Sequence, residues 1–529
     1  MPSSEPLDAD FAVIGSGFGG SVAALRLAEK GYRVVVLERG KRLGPSDFPV
    51  TNLDVRKYLW MPRFGWYGPQ NMSLFRHMLV LSGSGVGGGS LVYAGVLEEA
   101  PDAFFSAPGW SALADWKREL APHYDTARRM LGVVPNPCTT PADVALTKVA
   151  ERAGRAHAIR PANMGVLFDA EPGRGGREIP DPYFGGDGPA RTTCTLCGGC
   201  MVGCRFGAKN SLDRNYLYFA ERRGARIVPE ATVTTIRALG ALRPEDNDGS
   251  DGYEIAYRSS TDSSAPRQAL RVGGVVLAAG AMSSNALLLG ARDGGHLPRL
   301  SKRLGDDVRL NNEEILFATT GRTADDFTRS AAATSRYLPD DKTSMILVRF
   351  PPGSWLMRLL SVPWLRAAWR ALRGLFTRRW AETTAGFVVM QAGDDRIRLG
   401  WRRSLWTLFR RGLVTQRVPG SRVPAKIPSA RAAVASFANE LGAAPAGTVN
   451  AELAGITTTV HVFGGCGMGR DADEGVVDTS QRVFGYRSFY VCDGSVITAN
   501  VGGAPTLTIT ALAERCMASI PPRASRSRA

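Results

Sequence analysis

The chain has 529 residues, 44% hydrophobic and 22% charged, with a formal net charge of +16. That size allows two to four domains with large cores and excludes both a disordered chain and a small disulfide scaffold. The charge admits an anionic surface as partner; no nucleic-acid-binding motif accompanies it, so no nucleic acid is expected.

The N-terminus lacks both a basic stretch and an apolar stretch, so no signal peptide is read there. Residues 12–14 form a short apolar run of strand type. Gly15, Gly17 and Gly20 follow in G-x-G-x-x-G spacing, then a helical pattern over residues 21–30, Gly31, and a second apolar run over residues 34–37 ending in Glu38. The first glycine suits a tight turn, the second a close approach of pyrophosphate, and the third close helix–strand packing. The helix start offers unpaired N–H groups to phosphate, and Glu38 stands where an acid can accept from ribose hydroxyls. A dinucleotide site is predicted; the motif does not separate FAD from NAD.

Residues 81–95 carry Gly83, Gly85, Gly87, Gly88 and Gly89, too dense for a helix or a strand. Backbone this bare normally lies against something flat or charged. Apolar Leu91 and Val92 follow at once, which disfavours a flexible linker.

With these two stretches, Val276-Leu-Ala-Ala-Gly-Ala-Met-Ser-Ser-Asn-Ala-Leu and Tyr490-Val-Cys-Asp-Gly-Ser-Val-Ile complete a set that resembles the glucose–methanol–choline (GMC) flavin oxidoreductases, in the branch similar to bacterial cholesterol oxidases. The resemblance implies an α/β fold: a Rossmann-like FAD-binding domain with an inserted α+β substrate domain. On that reading 9–100, 191–310 and 455–522 form the FAD-binding domain. The substrate domain takes 101–190 and 311–454, and 523–529 is a basic tail. It also implies that Gly15, Gly17 and Gly20 hold the pyrophosphate and Glu38 the ribose. Gly87, Gly88 and Ser90 then lie along the pyrophosphate and flavin, Val233 meets the adenine, and Asp493 and Gly494 lie beside the ribityl chain.

Residues 110–131 look helical, broken at Pro122, and residues 207–221 look like a helix leading back to the cofactor domain. Between them Cys194, Cys197, Cys200 and Cys204 form C-x2-C-x2-C-x3-C, a run that holds iron–sulfur clusters in ferredoxins. A [3Fe-4S] or [4Fe-4S] cluster is the leading expectation, with zinc or reduced thiols as alternatives. A cluster would pass electrons from reduced flavin to an external acceptor.

No acidic residue occurs from Lys342 to Ala381, and six of the ten tryptophans fall between Trp355 and Trp406. Leu365, Trp369, Leu372 and Phe376 share a helical face beside Arg366, Arg370 and Arg373. This Trp/Arg segment, 355–411, is read as lying in a membrane interface, against the alternative of a helix packed on the protein's own core. The expected location is cytoplasmic, peripheral on the inner face of the membrane.

Val460-His-Val-Phe-Gly-Gly-Cys-Gly-Met-Gly resembles the family's histidine segment. An alcohol losing hydride to flavin needs a base at its hydroxyl, and His461 is the candidate. The family's hydrogen-bonding partner position is occupied by Ala504, so the substrate oxygen is held by His461 alone, by Asn500 as candidate partner, or by a residue of the insertion. Residues 505–518 read as a helix aimed at the flavin. Together these imply an FAD-dependent oxidoreductase acting on a sterol-like or other apolar alcohol. Glu313 or Glu314 would serve if the product's double bond were also moved. The alternatives are a sugar or polyol dehydrogenase with an iron–sulfur relay, and a flavin-bearing membrane-associated binding protein without catalysis.

Overall fold

The computed structural model describes residues 6–171, 173–240, 243–320, 326–364 and 379–524. Its first sheet has seven strands. The fully buried run Val34–Leu37 lies between Arg226–Val228 and Ala9–Ile14, all parallel. Ala9–Ile14 pairs in parallel with Gln268–Leu277, whose far edge is shared. Its first half pairs antiparallel with Tyr253–Ser259, and its last three residues pair parallel with Phe489–Val491. Strand Ala231–Ala238 closes the sheet, with an irregularity between Val233 and Thr235. The unbroken apolar runs Val34–Leu37 and, in the parallel part of its strand, residues 275–277 fit a sheet covered on both faces. Helices Phe18–Glu29 and Thr506–Ala518 belong to this core.

A second seven-stranded sheet runs in the order Ser361–Pro363, Ala444–Thr448, Glu314–Thr319, Thr384–Gln391, Thr343–Val348, Ala333–Tyr337, Ile159–Pro161, with every pairing antiparallel. Strand side chains alternate between faces. Met345, Leu347, Phe387 and Val389 pack with helices Pro141–Arg152 and Pro428–Leu441. Ile346, Val348 and Met390 face the other way, into a second apolar cluster that includes Ala504, Cys194 and Cys200.

A small third sheet positions the site. Met78–Gly83 pairs antiparallel with Gln70–Leu74 and parallel with Thr457–Thr459, Met78 opposite Thr457 and Val80 opposite Thr459. Two parallel strands therefore leave this sheet in the same direction. One enters the glycine-rich loop, and the other reaches His461 two residues later.

Two helix expectations are corrected and a third is not covered. The helix is Trp116–Leu131 and continues through Pro122, with Gly132 in the left-handed region as its C-cap. One proline costs one backbone hydrogen bond, and the face Trp116, Leu120, Tyr124, Ala127 and Leu131, all buried, outweighs it. Only Tyr216–Arg222 of the stretch before Arg222 is α-helical. The predicted face of Leu365, Trp369, Leu372 and Phe376 lies outside the described residues.

Candidate active site

The cofactor end is tied by one carboxylate. Glu38 is buried and accepts from Ser16 N and Oγ through Oε2 (3.1 and 2.7 Å). Its Oε1 accepts from Gly40 N and Gly85 N (2.8 and 3.3 Å). Ser16 Oγ also accepts from Gly87 N at 3.0 Å. The first turn, the end of the second strand and the glycine-rich loop are thus joined at one point. Glu38 spends its acceptors on the protein's own donors, so a ribose hydroxyl would have to share them.

The glycines divide by what surrounds them. A Cβ on Gly20 would lie 1.9 Å from Gly15 O, and one on Gly88 2.8 Å from Gly17 Cα. Gly19, which the motif leaves unspecified, is tighter: its Cβ would lie 1.5 Å from Cys492 O. These are close packings of backbone on backbone. Gly17, Gly280 and Gly503 are the opposite case: a Cβ there would meet nothing within 4 Å. The bare turn at Gly17 stands at the start of helix Phe18–Glu29, whose first amides have no intrahelical acceptor. Open backbone beside orphan N–H groups fits a dinucleotide pyrophosphate.

Other predicted contacts are occupied differently. Asp493 is buried and accepts from Gly280 N, Ser284 Oγ, Ser495 N and Ser495 Oγ. Burial raises its pKa above the usual carboxylate value, against the pull of those four bonds. Its side chain fixes Gly280 and Gly494 rather than facing open space. Ser90 Oγ donates to Gly87 O (2.7 Å) and accepts from Leu212 N (3.1 Å), so it braces its own loop. Val233 is partly buried against the main core at the strand irregularity.

His461 comes from a loop stapled to this end of the molecule. Gly464 N donates to Gly494 O (3.1 Å) and Cys466 N to Ser495 O (3.0 Å). His461 Nδ1 is in contact with Glu313 Oε1, and Glu313 Oε2 also accepts from Val460 N at 2.5 Å. The Glu313 side chain is 2% exposed and that of His461 19%. No described residue bonds Nε2, which leaves that nitrogen for a ligand.

Asn311 and Asn312 stand beside the histidine in the left-handed region, at φ 55 and 43°. Two consecutive side-chain-bearing residues there are strained, a feature that gathers at functional sites. Asn311 accepts from Gly502 N (2.8 Å), donates to Gly503 O (3.0 Å), and lies 3.5 Å from His461 Nδ1. Asn500, the predicted partner of His461, does different work. Its Oδ1 accepts from Asn311 N (2.9 Å) and its Nδ2 donates to Gly393 O (2.9 Å). Both ends brace backbone, so it positions Asn311. Glu314 is likewise engaged: it accepts from Ile427 N (2.6 Å) and pairs with Arg431 (2.6 Å). Neither Glu313 nor Glu314 is a free carboxylate above a substrate. Ala504 is buried among Ala331, Ala332, Ala333, Ile346 and Met390, an apolar wall where the family pattern expects a polar group.

The cysteine expectation is corrected too. Among the described residues, no group of three or more His, Cys, Asp or Glu side chains could hold a metal ion, and the iron–sulfur relay is unsupported. Cys194, Cys197, Cys200 and Cys204 instead line a cavity of about 20 Å³ with Val166, Phe206 and Ala331. The thiols of Cys194 and Cys200 are pushed up by burial, Cys200 to about 11, as for ordinary interior cysteines. What the cysteine loop contributes is a lysine. Lys209 is buried and donates from Nζ to Leu91 O (2.8 Å), Tyr93 O (3.2 Å) and Cys200 O (2.7 Å). It joins the cysteine loop to the glycine-rich loop, and burial lowers its pKa to about 8.

Of the five described tryptophans in the segment expected at a membrane, one is buried, Trp355, Trp364 and Trp401 are half-buried, and one is exposed. Trp380 is buried against Phe317 and Phe350, Trp364 donates to Glu452 under Arg431, and Trp401 lies over Gly290. Trp406 is exposed. No described helix is long and apolar enough to cross a membrane.

Family models for GMC oxidoreductases match residues 190–306 and 406–513, and one for an NAD(P)-binding Rossmann-like domain matches residues 13–52. The chain is 39% identical to a cholesterol oxidase of Acinetobacter baumannii, over 97% of this chain and 94% of that one. It is 40% identical to a cholesterol oxidase of Mycobacterium tuberculosis, over 98% and 92%. A pyridoxine 4-oxidase structure from Mesorbium loti aligns with a TM-score of 0.62 at 14% identity, covering 97% of this chain and 99% of that one, which speaks for the fold. With such relatives along nearly its whole length, the chain belongs to the GMC oxidoreductases as a cholesterol-oxidase-like, FAD-dependent oxidoreductase of CH–OH groups.

Proposed function

We propose that the chain oxidises the hydroxyl of a sterol-like or other apolar alcohol to the carbonyl, with molecular oxygen as final acceptor and hydrogen peroxide as co-product. The observation that carries this is His461: Nδ1 is held by Glu313, Nε2 has no partner among the described residues, and Asn311 ties the ring to Gly503, the residue before apolar Ala504. The relatives' names, cholesterol oxidase, support the substrate class and the acceptor. FAD, when bound, supplies the hydride acceptor. Gly17 and the amides after it would hold its pyrophosphate, and the backbone at Gly280 and Gly503 would lie along the rest.

The protein's own work is proton handling and orientation. His461 Nε2 takes the hydroxyl proton as the carbinol C–H bond gives up its hydride, so the C=O bond forms with charge balanced. Glu313 keeps Nδ1 protonated and stabilises the imidazolium that results. Asn311, braced by Asn500, fixes the backbone of Gly502 and Gly503. The apolar wall excludes water and polar polyols. An alcohol of this kind dissolves in lipid rather than water, so a membrane surface is its proposed source.

Anaerobic titration tests the reading. Cholesterol or a long-chain alcohol should bleach the bound flavin and glucose should not; air should then return the colour and yield peroxide. His461→Asn should retain FAD and bleach about 10²–10⁴-fold more slowly. Bleaching by glucose alone would favour the sugar enzyme, and no bleaching by any alcohol would favour the binding protein.

A further inference from the structure

The hairpin of strands Ile397–Arg403 and Arg411–Arg417 ends in a tip, residues 404–410, with an inverted distribution of polarity. Leu405, Trp406, Leu408 and Phe409 are 69, 48, 64 and 71% exposed. Leu408 and Phe409 both adopt the left-handed region, φ 51 and 57°, a conformation that costs energy in side-chain-bearing residues. The polar groups turn inward. Thr407 N and Phe409 N donate to Ser404 O (3.1 and 2.8 Å), Leu408 N to Leu405 O (3.0 Å), and Arg410 N to Thr407 O (3.0 Å). Thr407 Oγ1 accepts from Ser404 N (2.9 Å) and donates to Arg410 O (2.6 Å). A loop that closes its own backbone bonds and turns four large apolar side chains outward is suited to a medium without hydrogen-bonding partners.

The charge around it is of one sign. No Asp or Glu occurs from Arg396 to Asn439. Arg402, Arg403 and Arg410 are exposed and have no ion-pair partner among the described residues. Arg403 stands directly opposite Arg411, a like-charge pair at the root of the tip that is unfavourable without counter-charge. Arg411 is partly compensated by Asp293 at 2.9 Å. Trp406 between apolar neighbours and a collar of arginines has the composition of an interfacial anchor. The hairpin is also continuous with the site: Gly393, just before it, receives Asn500, and Ile397 pairs with Val308.

We propose that residues 404–410 insert into the interface of an anionic phospholipid bilayer, with Arg402, Arg403 and Arg410 on the headgroups. The proposal deepens the apolar-alcohol reading by naming where the enzyme meets its substrate's solvent. Its test is read without substrate, so failure of either leaves the other standing. Holoenzyme is sedimented with vesicles of phosphatidylcholine, with and without phosphatidylglycerol. The wild type should pellet with the anionic vesicles. Leu405→Ser/Phe409→Ser should stay in the supernatant, with unchanged turnover of detergent-solubilised alcohol. Arg402→Gln/Arg403→Gln/Arg410→Gln should lose about fivefold in partition per arginine, roughly a hundredfold in all. The proposal is overturned if the wild type stays in the supernatant, or if either variant pellets like the wild type. A self-association that vanishes with the tip substitutions, without vesicle binding, overturns it in favour of a second copy.

Discussion

At the scale of single residues, the proposed chemistry turns on Glu313, which was visible in the sequence only as one of two adjacent acids. Glu313→Gln keeps an acceptor for His461 Nδ1 and removes the charge that stabilises an imidazolium. We expect kcat to fall by about 10²–10⁴ with KM little changed. A merely structural glutamate would lower yield or thermal stability and leave the turnover of the folded, flavin-loaded protein in place, so stopped-flow rates on that fraction decide. Lys209 shows how sequence misleads at this scale. In Gly-Ala-Lys-Asn-Ser it reads as the start of a helix, yet its ammonium is buried against three carbonyls. Nothing local announces that, because the carbonyls belong to distant parts of the chain.

At the scale of elements, the glycines give a paired prediction. Gly17→Ala adds a methyl group to open space at φ −70°, so the apoprotein should keep its stability within about 0.5 kcal/mol while FAD affinity falls. Gly20→Ala drives a methyl group into Gly15 O, and should cost roughly 3 kcal/mol as well as the cofactor. Flavin content and denaturant midpoints separate the two. The loop after Asp181 gives a pH prediction. Burial would raise this carboxylate, but N–H bonds from Tyr183, Phe184, Gly186 and Gly188 together hold it below its ordinary value of 3.8. A depressed folded pKa contributes stability above pH 3.8, lost as the pH falls through the folded value. Asp181→Asn should abolish that acid-dependent step, read as amide exchange in residues 182–188. Elements with a strong period were legible: the strands at residues 9–14 and 34–37 and the helices at 18–29 and 506–518 appear within a few residues of their predicted places. The helix expected before Arg222 was not, because much of its stretch is held by long-range bonds from Lys209, Asn210 and Leu212.

At the scale of the whole molecule, bare backbone from residues 15–20, 83–89, 280 and 502–503 would meet on one cofactor. Adding FAD to the apoprotein should therefore raise its unfolding midpoint as concentration grows, reflecting a stabilisation of about 2.7 kcal/mol at a hundredfold excess over Kd. A midpoint indifferent to FAD would mean that the cradle is formed and filled without it. The glycine spacings made the close backbone packing at Gly20 and Gly88 legible, since each answers to a backbone requirement. The pairing of Glu313 with His461, 148 positions apart, was not, because only the third sheet and the strained turn at Asn311 bring them together.

Ala504 has one further consequence. With a methyl group where a second polar side chain could stand, and both amides of Asn311 and Asn500 committed to backbone, the hydroxyl meets a single proton acceptor. Removing that imidazole should then leave no side chain to take its place, so free imidazole added to His461→Ala is expected to recover turnover that no neighbouring residue supplies.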